Sequence, residues 1–91
     1  MLVTHGPPAG VRDRTSARDR THAGCVDLRD AVERIRPALH VFGHIHEGYG
    51  VERRDNTLFV NAAVCTLAYR PTNRPVVVDL IDGVATPAEA P

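Results

Sequence analysis

The 91-residue chain has no lysine and no tryptophan, and its aromatics stop at two tyrosines and two phenylalanines. So thin an aromatic set offers few platforms for stacked bases, which argues against single-stranded nucleic acid as a partner. Acidic and basic side chains balance at eleven each, so there is neither the basic footprint of a nucleic-acid binder nor an attraction to anionic membrane surfaces. Cys25 and Cys65 lie far apart and form no Cys-x-x-Cys. A disulfide scaffold is not indicated, and Cys65, in an apolar run, reads as a small core residue. No apolar run is long enough to span a bilayer. Met1-Leu2-Val3 is interrupted at once by His5-Gly6-Pro7-Pro8, which is not a signal-peptide pattern. The expectation is a cytoplasmic protein with no membrane partner.

What is present is ordinary globular material, 43% apolar and 24% charged, enough for one small domain with a modest core. The informative stretch is Val41-Phe42-Gly43-His44-Ile45-His46-Glu47-Gly48-Tyr49-Gly50. A hydrophobic run ends in glycine, two histidines follow one residue apart, and further glycines allow a sharp turn. Alternate residues of an extended segment face one side, and imidazole is the commonest metal ligand. A metal site at a strand end is one reading; a chance His-x-His in a surface loop is the other.

Residues 1–4 read as a short strand, broken by the Pro-Pro and glycine loop that follows. Residues 11–23 read as a polar loop in which Arg12, Arg14, Arg18 and Arg20 alternate with acids. It is either a solvated surface loop or a cover whose arginines meet an anionic substrate; Asp13 anchors the Pro-Pro loop that it follows. Residues 25–36 read as a helix, with Leu28, Ala31, Val32 and Ile35 on one stripe, acids early, arginines late, and Pro37 as the stop. Short strands are expected at 39–42, 49–53, 57–63 and 76–81, with turns at Asp55-Asn56 and Asp82-Gly83. Residues 84–91 read as a frayed tail. The order is α/β: a βαβ unit followed by a mostly antiparallel meander.

If the first two strands are parallel neighbours joined by the helix, His5 and His44 stand at the same carboxyl edge of the sheet, where ligands of open α/β sheets bind. His5, His44 and His46 then converge, and three imidazoles suit zinc, iron or manganese. His40, on the second strand, reads as packed and structural. His22 is either a contact to substrate phosphate or a surface histidine, and Asn61 either ties a turn or meets substrate.

Val3-Thr4-His5-Gly6-Pro7-Pro8 and Gly43-His44-Ile45-His46 resemble the last two motifs of the calcineurin-like metallophosphoesterases. Gly24-Cys25, the stretch from Pro37 to Gly50, and Phe59-Val60-Asn61-Ala62 narrow the resemblance to the metallophosphoesterase domain-containing subgroup. It implies the C-terminal half of a four-layer αββα sandwich, with residues 1–83 as that part and 84–91 as tail. It also implies two divalent ions (Mn, Fe or Zn), with His5 and His44 on one and His46 on the other. These acidify water for attack on a phosphate ester, and a nucleotide such as a cyclic nucleotide is the implied substrate. The family's Asp-x-His motif, bridging Asp and Asn-His pair have no counterpart here, so no catalytic residue is assigned and general acid and bridging carboxylate are missing. The isolated chain is expected to be inactive, and marginal or sticky where a partner half would cover it. A late gene start, a true non-catalytic remnant that binds a metal or a partner half, and a split enzyme are the three explanations.

Overall fold

The computed structural model describes residues 1–15 and 22–88. Strand β1 (Leu2–Val3) is followed by helix α1 (Val26–Ile35) and strand β2 (Leu39–Phe42). Strands β3 (Gly50–Arg54), β4 (Thr57–Asn61), β5 (Val78–Ile81) and β6 (Val84–Pro87) complete the order.

Helix α1 begins where the sequence signals place it. Cys25 is extended and its Sγ accepts the Leu28 N–H at 3.4 Å, while Asp27 sits in the first turn. Arg36 adopts a left-handed conformation at φ 54° and gives its N–H to the Val32 carbonyl, which closes the helix before Pro37. Leu28 and Val32 pack on Phe42 and Phe59 of the sheet, with Val11 and Leu2 beside them. Ile35, expected on the same stripe, is exposed at the last helical position.

The βαβ expectation holds: β1 and β2 are parallel, with Leu2 opposite His40 and Val3 opposite Val41. The antiparallel meander does not hold throughout. β3 and β4 form an antiparallel hairpin through Asp55, at φ 52°, but β4 then lies parallel to β2, giving the order β1-β2-β4-β3. Every residue of β4 is buried, and a strand apolar on both faces belongs inside a sheet with cover on both sides. β3, with Arg53 and Arg54 exposed, takes the edge, where charge discourages further pairing.

Residues 84–87, expected in a frayed tail, instead pair with β5 as a separate two-stranded sheet. Asp82 at φ 50° and Gly83 at φ 76° make its turn, both positive as a tight hairpin requires. Ala85 is fully buried against Leu39, Leu58 and Val60, with Val76 and Val78 alongside. The hairpin thus covers the sheet face opposite α1, and the described residues form helix, sheet and hairpin layers. Among them, no helix is long and apolar enough to cross a membrane.

Candidate functional site

The parallel ladder runs one step past β1. Thr4 N–H donates to the Val41 carbonyl and Gly43 N–H to the His5 carbonyl, both at 3.0 Å. That step sets His5 and His44 side by side at the carboxyl edge, their ring centroids 4.6 Å apart and tilted by 41°. Both are exposed. His44 has φ 68°, and the next N–H, of Ile45, donates back to the Gly43 carbonyl at 2.7 Å. A hydrogen bond across one residue with φ near +70° is a γ-turn of the rare, strained kind. An L residue held there stores on the order of 1–3 kcal/mol, a cost found mostly at functional positions.

His46 opens a 3₁₀ turn, His46–Gly48. Its Nδ1 lies 2.9 Å from the Thr66 carbonyl. A carbonyl only accepts, so Nδ1 carries the proton and the neutral ring keeps a lone pair at Nε2, the arrangement that metal-ligating histidines use. The ring also meets Tyr69 edge-on at 5.8 Å. The Thr66–Tyr69 segment as a support for His46 was not visible in the sequence. Among the described residues, no three His, Cys, Asp or Glu side chains gather as a metal-holding group. What this chain brings together is the His5–His44 pair, with His46 held separately by Thr66. Two imidazoles fit part of a zinc, iron or manganese shell, which takes at least three protein ligands in a catalytic zinc site.

Three buried polar side chains hold these loops. Asn61, 0% exposed, donates from Nδ2 to the Ile45 carbonyl at 2.9 Å and the Arg12 carbonyl at 3.1 Å, and its Oδ1 accepts the Ala63 N–H. Its amide is engaged at both ends, and of the two roles expected for it these bonds are those of tying a turn. Gly48 fits beneath it because a Cβ there would lie 2.0 Å from the Arg12 carbonyl oxygen and 2.8 Å from Asn61 Nδ2.

His40 is equally buried. The Thr4 hydroxyl donates to the Gly6 carbonyl at 2.8 Å and lies 2.9 Å from His40 Nε2, so it accepts the Nε2 proton. Nδ1 is a buried lone pair with no partner among the described residues, and the ring sits edge-on to Phe42 and Phe59. Burial pushes the His40 pKa below its ordinary 6.5. The third is Asp13, which takes the Gly10 and Gly24 N–H groups on Oδ2 at 2.8 and 3.0 Å and His22 Nδ1 on Oδ1 at 2.5 Å. Burial alone raises its pKa, but the hydrogen bonds from His22, Gly10 and Gly24 and the charge of His22 outweigh it and hold it below the usual 3.8.

Arg12 departs from both readings given to the arginine loop. Val11 is buried in the core and the Arg12 guanidinium donates to the Tyr49 and Val51 carbonyls. Arg12 is spent on β3 rather than offered to an anion. Arg14 is exposed, and Arg18 and Arg20 lie outside the described residues.

No family model matches the chain. Single relatives do. Over 81 residues it is 52% identical to metallophosphoesterase domain-containing protein 1 of Homo sapiens and to its counterpart in Mus musculus, matching 88% of this chain and 24% of each. Over most of its length the chain is thus similar to metallophosphoesterase domain-containing proteins. A UPF0046 protein of Caenorhabditis elegans is 46% identical over 77 residues, 85% of this chain and 26% of that protein. The chain thus spans about a quarter of the length of these curated relatives. A match over 88% of the chain necessarily takes in the loop that carries His44 and His46.

Proposed function

We propose that this chain supplies part of the metal site of a metal-dependent phosphoesterase that hydrolyses a phosphodiester or phosphomonoester, a nucleotide ester being the substrate class. The observation that supports the reading best is the His5–His44 pair, 4.6 Å apart across two parallel strand tips. In this reading His5 and His44 hold one divalent ion (Mn, Fe or Zn) and His46 the second, its Nε2 left free by the bond from Nδ1 to Thr66. Bound ions would neutralise phosphate charge and acidify water. The chain's own residues position: the Asn61 amide fixes Ile45 between the two histidines, and the Thr4–His40 bond fixes the turn that carries His5. General acid and bridging carboxylate fall to the rest of a four-layer αββα sandwich, of which this α/β unit forms one half, in a cytoplasmic protein.

The test is hydrolysis of a chromogenic phosphodiester with added manganese, by a protein that carries this chain at the full length of its relatives. Turnover that depends on manganese and falls at least about 100-fold in His44→Ala is expected; folded protein with no metal-dependent turnover overturns the reading. A second reading, a non-catalytic chain that binds one ion or a partner half through the same histidines, is favoured by the gathering of a pair rather than a threesome of ligands among the described residues. Manganese binding by the 91-residue chain that is lost in His44→Ala, with no turnover at full length, selects it.

A further inference from the structure

The loops that carry the paired imidazoles meet a second time. The loop after β1 brings Arg12, Asp13, Arg14 and His22 to one side of a cavity of about 340 Å³, and Glu47 and Glu52 face them. Most of this charge is already committed. Arg12 donates to the Tyr49 and Val51 carbonyls, and Glu52 is paired with Arg54. Asp13 is 1% exposed and its two oxygens hold two backbone N–H groups and one imidazole nitrogen. Such a carboxylate stays ionised and accepts only, so His22 Nδ1 must carry a proton. The His22 side chain is 49% exposed, and its backbone is bridged to that of Arg14. A buried carboxylate, pinned by Gly10 and Gly24, therefore orients a half-open imidazole beside an exposed arginine. Gly24 makes the pinning possible, since a Cβ there would lie 2.5 Å from the Pro8 carbonyl oxygen.

We infer that the Asp13–His22 pair is a phosphate-oxygen site: Asp13 fixes the ring through Nδ1, and His22 Nε2 meets an oxygen of the phosphate anion. The phosphate class rests on the function proposed above; the orientation of the ring does not. As imidazolium, His22 donates an Nε2–H to the anion, with Arg14 adding charge from the neighbouring position. As neutral imidazole it offers a lone pair, which repels the same oxygen. Asp13 is a positioning residue: it does not touch the ligand but decides which nitrogen of His22 does.

The experiment uses the metal-stripped 91-residue chain, nitrogen-15 labelled, with inorganic phosphate as the probe. In the neutral ring, His22 is expected as the Nδ1–H tautomer, with Nε2 at the shift of an unprotonated nitrogen. Asp13→Asn, which keeps the shape but removes the fixed acceptor charge, returns the ring to mixed tautomers. Phosphate shifts the His22 ring signals saturably. His22→Asn, a change at a half-exposed position, lowers phosphate affinity at least about ten-fold. An Nε2–H tautomer in the unaltered chain, or phosphate affinity unmoved by His22→Asn, overturns the inference. Manganese-dependent turnover at full length, measured in parallel, separates it from the metal reading: its absence with intact phosphate binding sinks that reading alone, and the converse sinks this one.

Discussion

Asn61 is the position at which loss of one side chain loosens the most. Its amide joins three segments: the loop after β1 at Arg12, the loop after β2 at Ile45, and the chain leaving β4 at Ala63. Asn61→Ala removes all three bonds at a site with no solvent exposure. The Ile45 carbonyl keeps the Gly48 N–H, so the heavier losses fall on the Arg12 carbonyl and the Ala63 N–H. At about 1 kcal/mol net per hydrogen bond, and more where a buried group is stranded, the expected destabilisation is about 3–5 kcal/mol. Small domains hold only about 5–15 kcal/mol in all. With a urea slope of about 1–3 kcal/mol per molar, the unfolding midpoint falls by at least about 1 M in far-UV circular dichroism; a variant already unfolded in buffer meets the same expectation. Asn61→Asp is the sharper companion. It keeps the volume but turns an oxygen toward two carbonyls, so it destabilises at least as much at neutral pH and recovers part of the loss on acidification, when the introduced carboxyl regains a donor. A midpoint shift under about 0.5 M at unchanged slope in both variants would refute the idea that this amide holds the histidine loops.

Gly48→Ala drives a methyl group into the Arg12 carbonyl and is expected to cost at least about 2 kcal/mol, read from the same urea curves. His44→Gly relieves a positive φ, so the metal-free protein should be no less stable than the parent, with a gain of up to about 1 kcal/mol, while His44→Val loses stability; equal losses in both would remove the case for strain. Acidification should weaken the fold in two stages. His40 is depressed below 6.5 in the folded chain, so the unfolded chain binds a proton that the native state refuses, and stability present above that value falls as pH drops below it. His40→Gln should remove this first stage from a series of melting temperatures. The second belongs to Asp13, whose contribution is present above its ordinary 3.8 and is lost as pH falls through its lower folded value; Asp13→Asn should flatten that stage.

The fold was legible where apolar residues repeat at a fixed period. Leu28 and Val32 sit at helical spacing and face the sheet, and the apolar run at β2 announced a buried strand. Two misreadings have the same physical cause, that a local pattern does not say which neighbour a strand will choose. β4 was expected to continue a meander, yet its burial on both faces takes it past β3 to lie against β2. β6 looked too small-sided to matter, yet Ala85 is the residue that fits between the hairpin and Leu58. A small side chain is a weak sequence signal and a strong packing one, because its merit lies in the gap that it fills.

The site divides along a similar line. Parallel pairing of β1 and β2, inferred from the helix between them, was enough to place His5 beside His44, since the ladder needs only one more hydrogen bond beyond β1. What holds those imidazoles in place follows no period. His40 reaches Thr4, Asn61 reaches Arg12 and Ile45, and Asp13 reaches His22, across spans of unrelated length. Each tie satisfies a polar group that would otherwise be buried at a cost, and each fixes a glycine- or proline-rich loop. The loops at this edge therefore keep their shape through hydrogen bonds as well as through the burial of Val11 and Ile45. That makes the imidazole pair sensitive to buried polar substitutions that touch neither ring, and it explains why a strained turn at His44 persists: Ile45, immediately after it, is anchored from below by the Asn61 amide, so the backbone cannot relax without breaking a bond in the core.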